Sequence, residues 1–328
     1  MKAATRRQYC SPKDLKVELV PMPVLKDHEV RIRVHATTVN RTDLAVLSGK
    51  PYVMRLFTGL SKPKMPTPGT DFSGVIEAVG NKVQAFKPGD KVWGFNDEGL
   101  ASQGTYMRFS ERGNIGLMPA NLSFEQAAAS LEGAHYARNF INKVTLQAGQ
   151  QVLVNGASGA IGSALVQFLK YNQLSVTAVC GTENIARIKA LGADRVIDYK
   201  TADFTQEAAQ YDYVFDAVGK STFSKCKPLL KEKGIYISSE LGPGAQNPFL
   251  ALITPLFGGK KVIFPLPTNI KASMVFIKDL IEKGQFTPLI DCSYTLEDIA
   301  TAYQYVALGQ KVGNVVVKIE DTTMPNVP

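Results

Sequence analysis

Residues 151–164 read QVLVNGASGAIGSA: a short apolar run, a turn of small residues and the opening of a helix. Gly156, Gly159 and Gly162 recur at every third position. A strand feeding such a turn brings backbone N–H groups close to a diphosphate, and the helix that follows offers its partly positive N-terminus to the same anion. The spacing alone is weak evidence, because the usual dinucleotide fingerprint sets its first two glycines closer together. Context strengthens it, since the turn follows a strand, opens a helix and starts a βαβ series. The segment therefore predicts a dinucleotide site built on Gly156, Ala157, Ser158, Gly159, Ala160 and Ile161; glycines that serve only helix-to-sheet packing are the competing reading.

The series continues with a helix over 161–171, SVTAV, a helix over 183–191 stopped by Gly192, RVIDY, DYVFDAVG, a helix over 221–230 and GIYISS. A further strand, KKVIFPLP, and a helix over 272–282 follow. Short apolar strands alternating with helices predict a parallel sheet covered on both faces. Ser123 and Gln126 have capping-box spacing, so a helix running through EQAAASLEGAHYARNFI leads into this second domain.

The first third has a different rhythm. Residues 16–21, 29–38, 74–79 and 91–95 carry alternating or β-branched apolar positions separated by turns such as Lys87-Pro88-Gly89-Asp90, which predicts a Greek-key or barrel-like module. Residues 49–68 break the pattern with four prolines beside Tyr52, Met54, Leu56 and Phe57, the composition of a lid or pocket wall. The tail from Ile290 reads as a connection, a helix starting near Thr295 and a last strand over 314–319 that rejoins the first module. The expected boundaries are 1–122 completed by 285–328, and 123–284.

With 328 residues, against roughly 100 to 200 per domain, two domains are expected. The 37 Lys and Arg against 29 Asp and Glu give a net charge of +8. They are scattered rather than striped, which suits anionic ligands better than nucleic acid. Cys10, Cys180, Cys226 and Cys292 form no CxxC pair, against a zinc knuckle, a redox dithiol or a disulfide scaffold. No run approaches the roughly 18 to 20 apolar residues of a membrane span. The N-terminus lacks the apolar segment of a secretory signal, and a cytoplasmic location is expected.

Cofactor choice depends on the end of the second strand of the series, where an acidic residue would hold the ribose hydroxyls of NAD and repel a 2′-phosphate. Val179-Cys180-Gly181-Thr182 stands there, Glu183 comes after the turn, and Arg187, Tyr199 and Lys200 are close in sequence. These residues predict NADPH, with Gly181, Thr182, Arg187 and Tyr199 in the adenosine site. The competing reading makes Arg187 and Lys200 ordinary solvated charges.

Several motifs occur in a fixed order: Asn40-Arg41-Thr42-Asp43, Pro68-Gly69-Thr70-Asp71-Phe72-Ser73-Gly74-Val75, Val79-Gly80, Phe86-Lys87-Pro88-Gly89-Asp90-Lys91-Val92, the glycine turn, Leu191-Gly192-Ala193-Asp194, Asp216-Ala217-Val218-Gly219 and Gly313-Asn314-Val315-Val316. In this order the chain resembles the medium-chain dehydrogenase/reductase superfamily, and within it the zinc-free quinone oxidoreductase branch. The resemblance implies an α/β architecture, a GroES-like β-rich catalytic domain plus a Rossmann domain with a doubly wound parallel sheet. It also implies no metal. Asn40 stands where zinc members have Cys, Thr70 where they have His, and no ligand lies near Leu131; the four-cysteine lobe is missing between Gly94 and Gly116.

His28, His35 and His135 are expected to be surface or hydrogen-bonding histidines rather than ligands. By the same resemblance Asn40 lies near the nicotinamide or the acceptor carbonyl, as a donor to developing oxyanion charge, with a turn residue before a helix as its plain alternative; Asp43 caps or braces that loop. Tyr52 is a candidate donor from the lid. Ala217 and Val218 line the cofactor, and His135 stands where relatives commonly have a Thr that contacts it. The implied activity is NADPH-dependent hydride transfer to a quinone or an α,β-unsaturated carbonyl, in a homodimer joined through the strand over 261–267. The alternatives are a zinc-independent alcohol dehydrogenase-like enzyme and a dinucleotide-binding structural protein, for which peripheral membrane contact is conceivable.

Overall fold

The computed structural model describes residues 1–320, so the last eight residues of the expected 285–328 segment lie outside the described residues. The chain divides into two compact units, one comprising 1–132, 270–282 and 290–320, the other 133–269 and 283–289.

The second unit contains a six-stranded, wholly parallel sheet in the order Arg195–Asp198, Ser175–Cys180, Gln151–Asn155, Tyr211–Asp216, Leu230–Ser238, Lys261–Ile263. In chain order the strands run third, second, first, fourth, fifth, sixth, the doubly wound Rossmann arrangement. The direction of winding reverses between Gln151–Asn155 and Tyr211–Asp216, where ligands of such sheets bind beyond the carboxyl ends of the strands. The central strands are covered on both faces, which is why they read as unbroken apolar runs: Val152, Leu153, Val154, Val176, Ala178, Val179, Val214 and Phe215 are all fully buried. The helix Ala160–Tyr171 buries Ala164, Leu165, Phe168 and Leu169.

Three expected elements are shorter than their patterns suggest. The 183–191 run divides into a 3₁₀ turn, Thr182–Asn184, and a helix, Ile185–Ala190. The 221–230 run yields only a helical turn, Phe223–Cys226, and a 3₁₀ turn, Lys227–Leu229. Pro228 cannot donate a helical hydrogen bond, and buried Leu230 already opens the next strand. The strand expected over 261–267 stops at Ile263, before Pro265 and Pro267 remove donors from the edge.

The first unit is built on a seven-stranded sheet whose path runs Ile290–Thr295, Asn314–Lys318, Glu29–Val39, Asp71–Val79, Lys91–Phe95, Ile115–Leu117, with Tyr106–Ser110 also paired to Glu29–Val39. The eleven residues of Glu29–Val39 alternate inward Val30, Ile32, Val34 and Ala36 with more exposed neighbours. That length lets one strand pair with three partners. Its core gathers Phe72, Ile76, Val92, Met107, Tyr303, Val315 and Val317. Ile290–Thr295, read from sequence as a connection, is a strand parallel to Asn314–Lys318. The following helix therefore starts at Ile299, with Thr295 Oγ1 donating to Asp298 at 2.8 Å.

The Ser123 capping box forms: Ser123 Oγ accepts from Gln126 N and Gln126 Oε1 accepts from Ser123 N. The helix it opens is Phe124–Ala129, and a separate helix, Glu132–Ile141, follows. The first of these packs Ala128 and Ala129 on Ala36 and Val316, and Ser73 Oγ donates to Phe124 O at 2.6 Å, so it sits with the first unit. The helix Ile270–Glu282 does likewise, since Asn121 Nδ2 donates to Ile281 O and Lys278 Nζ to Leu117 O.

Candidate active site

At the glycine turn, Gly156 has φ 80°, and a Cβ there would lie 2.7 Å from Val218 Cβ. A Cβ on Gly162 would lie 2.2 Å from Gly156 O and 2.7 Å from Ala157 Cα, so the helix can approach the turn only with glycine at this position. Gly159 is the N-cap of Ala160–Tyr171 and offers no side-chain cap, leaving the first-turn amides without an intrahelical acceptor. Ala157 N is already used by Val179 O at 3.0 Å. Ser158 and Ile161 flank the open amides and are half-buried. An uncapped helix end behind a turn with no bulky side chain is a cradle for a diphosphate, so these residues fit a dinucleotide.

The turn is braced by a contact that the sequence does not signal. Asn155 Nδ2 donates to Asp216 Oδ1 at 3.0 Å, joining the ends of the two strands at the reversal point. Asp216, fully buried, also accepts from the N–H groups of Val218, Gly219 and Ser221 and from Tyr236 Oη. This shapes the Ala217–Gly219 loop against Gly156.

Cys180 and Asp198 are paired in register on adjacent strands, so the residues after each meet beyond the sheet edge. Thr182 Oγ1 donates to Asp198 Oδ2 at 2.6 Å, and Lys200 Nζ to Glu183 Oε2 at 2.7 Å. The Glu183 carboxylate turns back over Gly181: a Cβ there would lie 2.8 Å from Oε1. Tyr199 is 56% exposed and Arg187 is exposed. Of the cationic residues expected around the adenosine end, Lys200 is thus held by an acid rather than free.

In the first unit, Asn40 is the N-cap of the helix Arg41–Ser48: its Oδ1 accepts from Asp43 N at 2.8 Å, and Asp43 Oδ2 accepts from Asn40 N at 3.0 Å. Asp43 thus braces the loop. Asn40 Nδ2 donates to Thr70 Oγ1 at 3.0 Å, and the side chain is 2% exposed. Its oxygen is committed to the cap, and the same Nδ2 reaches Thr38 Oγ1 at 3.4 Å, a long bond that is the weakest of its commitments.

Around it lie buried carboxylates, of which only Asp43 was assigned a place from the sequence. Asp71 accepts from Thr38 N at 2.7 Å and from the hydroxyls of Thr38 and Thr37; burial pushes its pKa up to about 6. Burial, then the neighbouring Asp71, raises Asp43 well above the carboxylate range. Glu132, which accepts from Thr42 Oγ1 at 3.0 Å, is raised too, chiefly by burial. The signal was present in Thr70-Asp71 and Asp43, but burial is what makes it chemical.

These residues do not fit a catalytic zinc. The amide and hydroxyl of Asn40 and Thr70 bond each other, and among the described residues no group of three His, Cys, Asp or Glu could hold a metal ion. His28 Nδ1 pairs with Glu111 at 3.1 Å, and His35 stacks on Phe124 at 4.2 Å. His135 lies 1% exposed on Glu132–Ile141, and burial, with Arg138 nearby, lowers its pKa to about 4, keeping the ring neutral. Tyr52 sits in a 3₁₀ turn of the lid, 68% exposed, with the Arg55 guanidinium 5.0 Å from its ring centroid.

The geometry agrees with what this chain is similar to. Residues 26–127 match the family model described as the alcohol dehydrogenase GroES-like domain, and residues 191–317 match that described as zinc-binding dehydrogenase. A chloroplastic quinone oxidoreductase of Triphysaria versicolor is 30% identical over 320 residues, covering 93% of this chain and 94% of that one. The quinone oxidoreductase of Mus musculus is 30% identical over 340 residues, 96% of this chain and 97% of its own. A chloroplastic NADPH-dependent alkenal/one oxidoreductase of Arabidopsis thaliana is 28% identical over 330 residues, 97% of this chain and 79% of its own. Among solved structures, the quinone oxidoreductase of Coxiella burnetii superposes with a TM-score of 0.84 at 25% identity, covering 98% of this chain and 99% of that one. With an uncapped glycine turn on a doubly wound sheet in one unit and a GroES-like sheet around Asn40 in the other, the chain belongs to the medium-chain dehydrogenase/reductase superfamily, in its quinone oxidoreductase-like branch.

Proposed function

We propose that the protein is an NADPH-dependent oxidoreductase that reduces a quinone or an α,β-unsaturated carbonyl without a metal. The single observation that carries this reading is the pairing of a backbone diphosphate cradle with an Asn40 pocket whose donors suit an oxyanion and not a cation. Relatives named as quinone and alkenal/one oxidoreductases support the substrate class. The two units divide the work, the second holding the dinucleotide and the first the acceptor.

When bound, the reduced nicotinamide supplies a hydride equivalent to a conjugated acceptor. Ser158, Ala160 and Ile161 offer backbone amides to the diphosphate, Gly156, Ala157 and Gly159 shape the turn beneath it with their own amides tied back or folded in, and Ala217 and Val218 wall the same loop. Arg187 and Tyr199, with Thr182 and Gly181, receive the 2′-phosphate end. The Asn40 amide hydrogen not held by Thr70, which reaches Thr38 Oγ1 only at 3.4 Å, turns to the acceptor's carbonyl oxygen as charge builds there, in a place where water would otherwise compete. Thr70 orients that amide. Tyr52 stands on the lid as the acceptor-side hydroxyl. His135, neutral at ordinary pH, shapes the cofactor wall without adding charge.

We read the working form as a cytoplasmic homodimer joined along the edge strand Lys261–Ile263. No helix among the described residues is long and apolar enough to cross a membrane, while peripheral contact through the exposed lid residues Leu56 and Phe57 stays compatible with the surface. The test is to mix protein and NADPH with a panel of quinones, enals and enones and follow cofactor absorbance. Consumption of NADPH supports the reading; binding without consumption favours a dinucleotide-binding protein that lacks turnover, and turnover with NADH alone would overturn the cofactor assignment.

A further inference from the structure

Arg6, in the first unit, is 5% exposed, and its hydrogen bonding is incomplete. One terminal nitrogen donates to Val46 O, while Nε is buried with no partner. Among the described residues no carboxylate pairs with it. The guanidinium instead lies 5.6 Å from the Tyr9 ring centroid, a ring that Arg55 also approaches at 4.5 Å. A second cation on the same ring adds repulsion rather than compensation. A buried charge is expensive unless paired and hydrogen-bonded, so an arginine left in this state calls for a counter-charge.

The space it faces supplies room for one. Arg6 lines a cavity of about 60 Å³ whose wall includes Lys64, Thr67 and Asn96, together with Thr58, Phe57 and Glu98. Thr58 is already engaged, donating to Met54 O at 3.0 Å and bonded to Tyr9 Oη at 2.8 Å. Asn96 Nδ2 donates to Gly99 O, at a long 3.4 Å, so the Thr67 hydroxyl and the Lys64 ammonium are the donors that remain beside Arg6, with the second Asn96 amide hydrogen. Glu98 is the one carboxylate on the wall; it is exposed and pairs with neither cation.

We propose that this cavity is a binding site for a phosphate group, free or carried by a small ester, gripped by the Arg6 fork and closed over by Lys64. The planar guanidinium favours a tetrahedral oxyanion, which can accept two parallel N–H bonds, over a halide. Binding would fasten the lid. Arg6 N already donates to Pro66 O at 2.9 Å and Lys64 N to Thr58 O at 2.8 Å, so an anion bridging Arg6 and Lys64 ties both ends of residues 58–66 to the N-terminal strand. This site is independent of the reductase reading, since it needs neither dinucleotide nor acceptor.

The test is amide hydrogen exchange over residues 58–68 of the full chain in inorganic phosphate, in glycerol phosphate, and in chloride of equal ionic strength, repeated with NADPH present so that the glycine turn does not take the added anion. The expected result is slowed exchange in phosphate or its ester and not in chloride; whichever protects at lower concentration identifies the natural occupant. K64Q should weaken the apparent affinity about tenfold, the loss of one charge-assisted hydrogen bond. R6Q should abolish protection. E98Q should tighten binding, and because Lys64 and Glu98 are exposed, those two variants carry the test even where R6Q fails to fold. Exchange that ignores phosphate, or an effect of equal size in chloride or in K64Q, overturns the site.

Discussion

The glycine turn at 156–162 presents no titratable side chain to its ligand, whereas the pocket around Asn40 is ringed by three buried carboxylates, Asp43, Asp71 and Glu132. In the first region, function follows from what is missing: no Cβ at Gly162, no cap at Gly159. In the second it follows from side chains that hold one another. A backbone cradle tolerates no added atoms but is indifferent to pH. A side-chain cage tolerates substitutions that keep its bonds and responds to every proton it gains or loses. Four experiments follow from that contrast.

The largest effect is expected at the turn. Gly162→Ala places a methyl 2.2 Å from a backbone oxygen that no rotamer can avoid, so the helix must shift off the cradle. NADPH affinity, measured by cofactor fluorescence, should fall roughly a hundredfold, about 2.7 kcal/mol. Near-normal affinity with an intact circular dichroism spectrum would mean that the glycines serve packing alone.

The side-chain region offers a finer cut. Asn40→Ala removes both the helix cap and the amide donor, whereas Asn40→Ser keeps a capping oxygen and loses only the donor. Both should lower kcat by about two orders of magnitude, the range for deleting one oxyanion donor. Only the alanine variant should also lose about 1 kcal/mol of stability in urea. Equal turnover in wild type and Asn40→Ser would reduce Asn40 to a cap.

Acid dependence separates the carboxylates of the Asn40 pocket from His135 by sign. Asp71 titrates at about 6 in the folded chain, above the ordinary aspartate value of 3.8, so its contribution is present at lower pH and is lost as pH rises from about 4 through 6. Asp43 acts in the same direction. His135, lowered from 6.5 to about 4, contributes stability above 6.5 that is lost as pH falls toward 4. The two oppose each other over one window, each on the order of 3 kcal/mol. Urea midpoints at both ends of that window should therefore rise more steeply with pH in Asp71→Asn than in wild type and less steeply in His135→Gln. Parallel profiles would show that neither group is buried as described.

The smallest effect belongs to the adenosine end. Glu183 holds the exposed Lys200, so Glu183→Gln should release a cation toward a 2′-phosphate and favour NADPH over NADH by a few-fold further, the scale of an exposed ion pair. An unchanged ratio of kcat/KM for the two cofactors would place the phosphate elsewhere.

The same contrast explains what could be read from the chain. Strand, turn and helix at 151–171 were legible because sterics at a glycine and a run of apolar residues are local properties. The Ser123 capping box was equally legible, yet its helix packs on Ala36 and Val316, a tertiary preference that cap chemistry does not encode. Ile290–Thr295 does alternate apolar Ile290, Cys292 and Tyr294 with polar Asp291, Ser293 and Thr295, but the run is short and only half-buried at a sheet edge, and the strand signal was passed over. Asn40 was visible as a candidate, but its double engagement with Asp43 and Thr70 depends on residues three and thirty positions away. Asp71 and Glu132 look like ordinary carboxylates in sequence, and only burial distinguishes them.

The most direct measurement is isotopic. With reduced cofactor carrying deuterium at both C4 positions and an α,β-unsaturated ketone as acceptor, mass spectrometry of the product should find one deuterium at the β-carbon, and Asn40→Ser should slow its appearance without changing its position. Product without deuterium at that carbon, or no product from any conjugated acceptor while NADPH stays bound, would contradict direct hydride transfer by this protein.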